Sequence, residues 1–315
     1  MRRPSKGADA QDAILHGAAG LPDVTFADGT GPGNDFGLKL RFELDLYANI
    51  RPIKLYPGVT SVLRGRKPGD IDYVILRENT EGLYAARGHG TVLRDELATD
   101  TMVVTRKGIE RICHAAFKLA RGRNGAPRDG KRRVTLCDKS NILRSFAYFR
   151  RVFNEVADAY PDIERDFALA DAMTVYLLDR PDFYDVIVME NMLGDIMSDL
   201  GAATVGGMGM SPSSELGDGN GFFQAAHGSA PTIAGKGIAN PYGTILSAAA
   251  MLSWLADRHD DPGCAMLRGA SSVPSMPRSR VARARRGSRR DRTDRRRHAC
   301  GRRRSRARVS GVKAS

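Results

Sequence analysis

The sequence predicts an α/β protein in which parallel or mixed sheets are flanked by helices. Short apolar segments rich in β-branched residues have the length of buried strands, at residues 72–76, 102–104, 134–136 and 186–189. Longer segments with apolar residues at helical spacing, notably 108–121 and 146–159, lie between them. Strands that alternate with helices are typical of parallel-sheet units.

Length and composition limit the class of protein. The chain has 315 residues, of which 42% are hydrophobic, so it can bury one large core or two ordinary ones. It contains no apolar run of the about 18 residues that a membrane helix needs, and residues 1–12 lack the apolar centre of a signal peptide. The cysteines are spaced neither as metal ligands nor as an obvious disulfide framework: Cys113, Cys137, Cys264 and Cys300. We therefore expect a cytoplasmic protein.

The net charge of +13 comes from one end of the chain. Residues 278–308 contain 16 Arg and two Asp, a local charge of +14, so the remaining residues together carry −1. Because large apolar residues are almost absent there, we predict that residues 261–315 form a disordered Arg-rich tail. The alternative is a basic arm that binds nucleic acid, although no aromatic residue is interleaved for base stacking.

A predicted helix at residues 191–201 follows the strand at 186–189 directly and carries Asp195 and Asp199 one turn apart. We expect four apolar residues to form its buried face: Leu193, Ile196, Met197 and Leu200. Ligands of α/β proteins bind at the carboxyl ends of parallel strands, and carboxylate oxygens are ligands of Mg²⁺. These two residues are therefore candidate metal ligands, with Asp171 as a third. On spacing alone, a solvated acidic face is the other interpretation.

Cationic residues follow other predicted strands. Arg77 opens the segment that ends at Tyr84, Lys139 comes after the next strand, and Arg41 and Arg51 lie upstream. Arg side chains bind carboxylates through paired hydrogen bonds. Lys139 or Tyr84 can move protons where neighbours shift their pKa. Each residue alone is more often an ordinary surface charge, but together they indicate an anion-binding site.

A loop of small residues, 226–241, begins with His227 and has room for close approach of a ligand to the backbone. His227 is equally well interpreted as an ordinary loop histidine. The chain has no strict G-x-G-x-x-G motif and no Walker A motif. It also lacks G-x-S-x-G and H-E-x-x-H, so serine-hydrolase and zincin chemistry have no support.

Taken together, these segments resemble the isocitrate/isopropylmalate dehydrogenase family of metal-dependent β-decarboxylating dehydrogenases. The resemblance runs over about residues 12–254 and is carried by the motifs at 45–52, 77–84, 191–200 and 227–241. It implies an isopropylmalate dehydrogenase-like fold of two domains. Residues 1–46 with 206–260 would form an incomplete cofactor-binding domain, and 47–205 a domain for substrate, metal and dimerisation.

The resemblance also implies a role for each candidate residue. The implied substrate-binding residues are Arg41, Arg51 and Arg77, the proton-transfer pair is Tyr84 and Lys139, the Mg²⁺ or Mn²⁺ ligands are Asp171, Asp195 and Asp199, and the cofactor-binding residues are His227, Gly228, Ser229, Ala230 and Asn240. In the family, the residues matched by Lys139 and Asp171 reach the site from the partner subunit. The expected partners are therefore a small-molecule substrate and a second copy of the chain, with no membrane and no specific nucleic acid.

The implied reaction is NAD(P)-linked oxidative decarboxylation of a 2-hydroxy acid bearing a 3-carboxylate, such as isopropylmalate, isocitrate or tartrate. NAD-using members carry Asp where this chain has Thr232, and the basic residues expected for a 2′-phosphate are absent nearby. We expect NAD, with NADP as the alternative. Compared with the family, the chain looks truncated before residue 12 and atypical after residue 254, so we expect impaired activity. A non-catalytic remnant, a regulatory subunit or a basic-tailed nucleic-acid-binding protein are the alternatives.

Overall fold

The computed structural model describes residues 7–8, 11–21, 23–26 and 31–260, with only the backbone of 32–35. These residues belong to one compact unit. The predicted disordered tail at 261–315 lies outside the described residues, as do Cys264 and Cys300. None of the helices in the described ranges combines the length and hydropathy needed to span a bilayer. The cytoplasmic location stays a prediction.

The described part of the chain contains ten strands and six α-helices. The strands are β1 (Ala13–His16), β2 (Ala48–Lys54), β3 (Asp72–Glu78), β4 (Thr91–Leu93), β5 (Leu97–Thr99), β6 (Arg133–Asp138), β7 (Glu164–Leu169), β8 (Val186–Met189), β9 (Pro212–Leu216) and β10 (Gly221–Ala225). The helices are α1 (Pro32–Glu43), α2 (Arg106–Arg121), α3 (Arg144–Ala157), α4 (Ala170–Asp179), α5 (Asn191–Thr204) and α6 (Tyr242–His259).

Eight of these strands form one mixed sheet in the order β1-β10-β9-β2-β3-β8-β6-β7, and β4 pairs with β5 in a separate hairpin. Strands β3, β8, β6 and β7 run parallel to one another, and β1 runs parallel to β10. The pairs β10/β9, β9/β2 and β2/β3 are antiparallel. The predicted α/β class with a mixed sheet and flanking helices is confirmed. The sheet crosses both predicted domain boundaries because β9 pairs with β2, and the two-domain division stays a prediction.

Three of the four predicted strands are confirmed as β3, β6 and β8, and the three predicted helices as α2, α3 and α5. The strand predicted at residues 102–104 is wrong. Val103 makes only an isolated bridge to Gly82, with its carbonyl accepting from Gly82 N at 2.7 Å. Its side chain is exposed, so no apolar burial favours extending this bridge into a sheet.

Alternate residues of the central strands enter two different cores. Val74 and Leu76 pack on the face that α2 and α3 cover. Tyr73 and Ile75 pack on the other face, with Met173 of α4 and Met197 of α5. Since side chains alternate along a strand, Arg77 at the end of β3 lies on the α5 side.

Helix α5 lies on the sheet through small residues, and the apolar stripe predicted for it is confirmed in part. Met197 is buried, and Leu193 and Leu200 are partly buried and pack against the same core, but Ile196 is 55% exposed. The buried face also includes Asn191, Gly194, Ser198 and Gly201. A Cβ atom on Gly194 would lie 2.6 Å from Cβ of Arg77. Large apolar side chains at these positions would hold the helix away from β3.

Candidate active site

Asp195 joins two of the predicted site residues. Its Oδ1 accepts a short hydrogen bond from Arg77 Nη1, and its Oδ2 accepts from the Tyr84 hydroxyl at 3.1 Å. Arg77 is 2% exposed, and its guanidinium lies 5.5 Å from the centre of the Tyr84 ring. Burial and the neighbouring Arg51 lower the pKa of Arg77 to about 10, so this guanidinium is charged at neutral pH.

Arg51 connects Asp195 to Asp199. Its Nη1 donates to Ser198 Oγ at 2.6 Å and lies 3.3 Å from Asp195 Oδ1 and 3.5 Å from Asp199 Oδ1. Its Nε is buried and has no hydrogen-bond partner among the described residues. An unpaired buried donor of this kind is costly, and a bound anion would satisfy it.

The start of α5 fixes the position of the Tyr84 segment. The Glu190 carboxylate caps the helix by accepting from Met192 N at 3.0 Å and Leu193 N at 3.2 Å, and it also accepts from Leu83 N at 3.3 Å. A Cβ atom at Gly82, where φ is +81°, would overlap Glu190 Oε1. Only glycine therefore allows the segment to approach this closely.

Asn191 makes the second connection between these elements. It is fully buried, its Oδ1 accepts from Arg77 Nε at 2.9 Å, and its Nδ2 donates to the Glu81 carbonyl at 2.9 Å. Neither Glu190 nor Asn191 was predicted as a site residue. The available signal was an acidic residue directly before a predicted helix, where its charge favours the helix start.

Glu78 is buried under the same segment. Its carboxylate accepts from the backbone N–H groups of Thr80 and Glu81 at 2.9 and 2.5 Å, and from the Thr80 hydroxyl at 2.8 Å. Burial outweighs these hydrogen bonds and raises the pKa of Glu78 to about 7.

We expect the stability of the protein to fall between about pH 4.5 and 7 because of Glu78. The folded state keeps a proton on this carboxyl that the unfolded chain releases across that window, so ionisation costs folding free energy as the pH rises. Glu78→Gln should flatten this dependence by about 1–3 kcal/mol. Urea unfolding at several pH values measures it, with the exposed Glu96→Gln as the control. A wild-type slope that persists in Glu78→Gln would contradict the assignment.

Arg41 contacts a buried carboxylate, Glu215, that was not among the predicted site residues. Its Nε and Nη2 each donate to Glu215, at 2.9 Å in both cases. Glu215 also accepts from Asn79 Nδ2 at 3.2 Å and from Gln224 Nε2 at 3.0 Å. Burial opposes ionisation of Glu215, but Arg41 outweighs it and holds the pKa of Glu215 below its ordinary value. The sequence offered no signal for this pair, since 174 residues separate its members.

Lys139 and Asp171 form a pair of their own. Lys139 Nζ lies 2.8 Å from Asp171 Oδ1, and this hydrogen bond lowers the pKa of the exposed Asp171. In the described part of the chain, no hydrogen bond or ion pair joins this pair to Asp195 or Asp199. Nor do three His, Cys, Asp or Glu residues gather there in a group suited to a metal ion. A single chain thus brings together five predicted site residues: Arg51, Arg77, Tyr84, Asp195 and Asp199.

The predicted cofactor loop follows β10 and leads into α6. Ser229 Oγ donates to the Gly20 carbonyl at 2.6 Å, which ties the loop to the segment after the parallel neighbour β1. The Gly228 carbonyl accepts from His227 Nδ1 at 2.8 Å. Asn240 Oδ1 accepts from Tyr242 N at the start of α6, at 3.0 Å, and Ala230 has a φ of +47°. The loop is exposed, with open space beside Gly228.

The fold and the site define an α/β protein in which clustered arginine side chains of central strands lie beside two carboxylates of α5. Residues 4–264 match the family described as isocitrate/isopropylmalate dehydrogenase. The chain therefore belongs to the isocitrate/isopropylmalate dehydrogenase family, as the motifs predicted.

Proteins of similar sequence are named as members of the same family. A 3-isopropylmalate/3-methylmalate dehydrogenase of Methanocaldococcus jannaschii is 47% identical over 247 residues, which are 78% of this chain and 68% of that protein. A 3-isopropylmalate dehydrogenase of Corynebacterium aurimucosum is 43% identical over 261 residues, covering 79% of this chain and 72% of the relative.

Among solved structures, an isocitrate dehydrogenase from Methylococcus capsulatus superposes with a TM-score of 0.69 at 37% identity, over 82% of this chain and 70% of that one. The TT0538 protein of Thermus thermophilus gives a TM-score of 0.71 at 33% identity, over 88% of this chain. This chain spans about half, 54%, of the length of that structure.

Proposed function

We propose that this chain is a subunit of an NAD-linked dehydrogenase that oxidises and decarboxylates a 2-hydroxy acid bearing a 3-carboxylate. The observation that carries the proposal is the convergence of Arg51, Arg77 and Tyr84 on Asp195, with Arg51 Nε left unpaired. Two adjacent guanidiniums suit the two carboxylates of such a substrate. Membership of a dehydrogenase family supports the reaction type.

Two carboxylates of α5 are suited to be ligands of Mg²⁺ or Mn²⁺. The side chains of Asp195 and Asp199 are 35% and 55% exposed, one helical turn apart. Burial raises the pKa of Asp199, and the negative charge of Asp195 contributes to the increase, so a cation would relieve repulsion between them. When bound, the ion supplies Lewis-acid polarisation of substrate oxygens. We propose Asp171 of a second subunit as the third protein ligand.

The loop at residues 226–241 fits the adenosine end of NAD. Its exposed backbone is followed by the start of α6, and small residues leave room for a ligand. We propose that His227, Gly228, Ser229, Ala230 and Asn240 hold the cofactor. When bound, NAD accepts the hydride from the hydroxyl-bearing carbon.

The chain's own residues then bind substrate and move protons. Arg51 and Arg77 orient the two carboxylates. Lys139 takes the proton of the substrate hydroxyl as the carbonyl forms. The bond to the 3-carboxylate then breaks with release of CO₂, and its electron pair leaves an enolate. Tyr84 donates its phenolic proton to the enolate carbon, which gives the ketone. Burial and, to a smaller extent, the negative charge of Asp195 raise the pKa of Tyr84, so its phenol keeps its proton at neutral pH.

We propose that a second copy of the chain covers the apolar groove between α4 and α5. This groove, of about 440 Å³, is lined by Thr174, Val175, Leu178, Asp179 and Leu200. Val175 and Leu178 are exposed large apolar residues on α4, which carries Asp171 in its first turn. A homodimer formed here buries these side chains, and it gives Lys139 and Asp171 access to a partner's Asp195. Shared active sites explain why a single chain keeps the two groups apart.

Leu178→Glu is expected to weaken the dimer by about 2–4 kcal/mol, because it places a charge in the apolar groove. Sedimentation velocity over a range of protein concentrations measures the change. Val62→Glu is the matched control, since Val62 is more exposed and lies outside the groove. Equal self-association of the two variants would remove the groove from the interface.

A turnover assay tests the proposed function. The full chain is assayed with Mn²⁺ or Mg²⁺, with NAD or NADP, on isopropylmalate, isocitrate, tartrate and malate, beside the C. aurimucosum relative. We expect metal-dependent formation of reduced nicotinamide and CO₂ in equal amounts. A folded chain that turns over none of these acids would overturn the proposal.

A further inference from the structure

A row of polar side chains crosses three neighbouring strands beneath the site. Glu215 of β9 pairs in register with Asn49 of β2, and Asn49 pairs with Arg77 of β3. Residues opposite one another in antiparallel strands share a face of the sheet, and Arg51 shares it because it lies two positions from Asn49. Glu215 therefore lies on the same face as Arg51 and Arg77, two strand spacings from Arg77.

Glu215 carries a negative charge that no ligand can reach. It is 1% exposed, and its two oxygens accept four hydrogen bonds, two of them from Arg41. A buried carboxylate with this set of donors stays ionised. Its charge is therefore a fixed feature of the site.

The charge of Arg41 is offset by this carboxylate. Because Nε and Nη2 of Arg41 both donate to Glu215, the remaining nitrogen, Nη1, is the one left for a ligand. Arg41 interacts electrostatically with Asp195 and Arg77, so the pair belongs to the same charged centre. Of the three predicted substrate guanidiniums, two remain without a dedicated buried partner of this kind.

We propose that Glu215 is a specificity-determining residue, which makes the site favour hydroxy acids with two carboxylates over those with three. This inference rests on the proposed function and narrows its substrate class. Two strand spacings place Glu215 about 10 Å from Arg77. At that distance from a bound carboxylate, in a medium with an effective dielectric constant of about 20, one unit charge changes the relative affinity for a further negative charge by about tenfold.

Anion binding by the full chain tests the proposal. Calorimetry at about pH 8, where all the probe carboxylates are ionised, compares succinate, a dianion, with tricarballylate, a trianion. Glu215→Gln keeps the shape and one acceptor oxygen, and it should shift the affinity ratio about tenfold toward the trianion. Arg41→Gln should shift the ratio toward the dianion, and the double variant should return it to within about twofold of wild type.

Each folded variant decides part of the question. Circular dichroism identifies a variant that has unfolded. If Glu215→Gln does not fold, Arg41→Gln is still expected to shift the affinity ratio toward the dianion, and the double variant to return it toward wild type. The exposed Glu96→Gln controls for net charge. A folded Glu215→Gln with an unchanged ratio, or a double variant that keeps the ratio of either single variant, would overturn the proposal.

The outcome is separable from that of the proposed function. Anion selectivity that follows the charge pattern, without turnover of any acid, would refute the dehydrogenase activity alone. Turnover of dicarboxylates and tricarboxylates in a ratio that Glu215→Gln leaves unchanged would refute the role of Glu215 alone.

Discussion

Replacing Lys139 with methionine is expected to lower kcat by about 10²–10⁴-fold, because the substrate hydroxyl loses its proton acceptor. The side chain is partly exposed and paired with Asp171, so the fold should tolerate the change. Steady-state kinetics of the purified variant measure the loss, and the melting temperature checks the fold.

A mixture of variants tests whether two chains share each site. Lys139→Met and Asp195→Asn should each be nearly inactive alone. If Lys139 acts at the partner's Asp195, a mixed dimer has one site with both changes and one with neither. Random reassortment should then recover roughly a quarter of wild-type activity. No recovery, with mixed dimers shown to form, would place Lys139 and Asp195 in the same chain's site.

Arg77→Met is expected to lower kcat/KM by about 30–4000-fold, equivalent to about 2–5 kcal/mol for truncating one partner of a buried, hydrogen-bonded charge pair. Arg77 donates to both Asp195 and Asn191, so the loss combines substrate binding with the positioning of α5. Steady-state kinetics and calorimetric binding of succinate measure the two parts.

Arg77→Lys is the matched variant, because it keeps the charge and removes the planar fork. We expect it to recover part of the succinate affinity and little of the turnover. A folded Arg77→Met that binds succinate as tightly as wild type would contradict a role for Arg77 in the anion site.

The sequence predicted the parts of the fold that depend on local apolar pattern. Strands β3, β6 and β8 are buried on both faces, and helices α2 and α3 have strong apolar periodicity, so their sequences state their structure directly. The segment at 102–104 has the same composition as a strand. Its outcome depended on whether a neighbouring strand was present to bury it, which the local sequence does not encode.

The sequence predicted the charged residues of the site better than the residues that hold them. Asp195, Arg77 and Tyr84 stand out by type and by position after strands, and the structure brings them together. Glu190 and Glu215 act through contacts with residues distant in the chain. Their roles follow from sheet register and close packing, and neither produces a pattern along the sequence.

Hydrophobic spacing predicted helix α5 but not how closely it approaches the sheet, because small residues on its buried face set that distance. Gly194 precedes Asp195 directly, and a single hydrogen atom separates its α-carbon from the stem of Arg77. The absence of a side chain at position 194 thus allows Asp195 to lie close to Arg77. Substitutions elsewhere on α5 change the side chains on its surface. Even one methyl group at position 194 would instead change the distance between α5 and β3. Position 194 therefore tolerates almost no larger side chain, although it contributes no functional group itself.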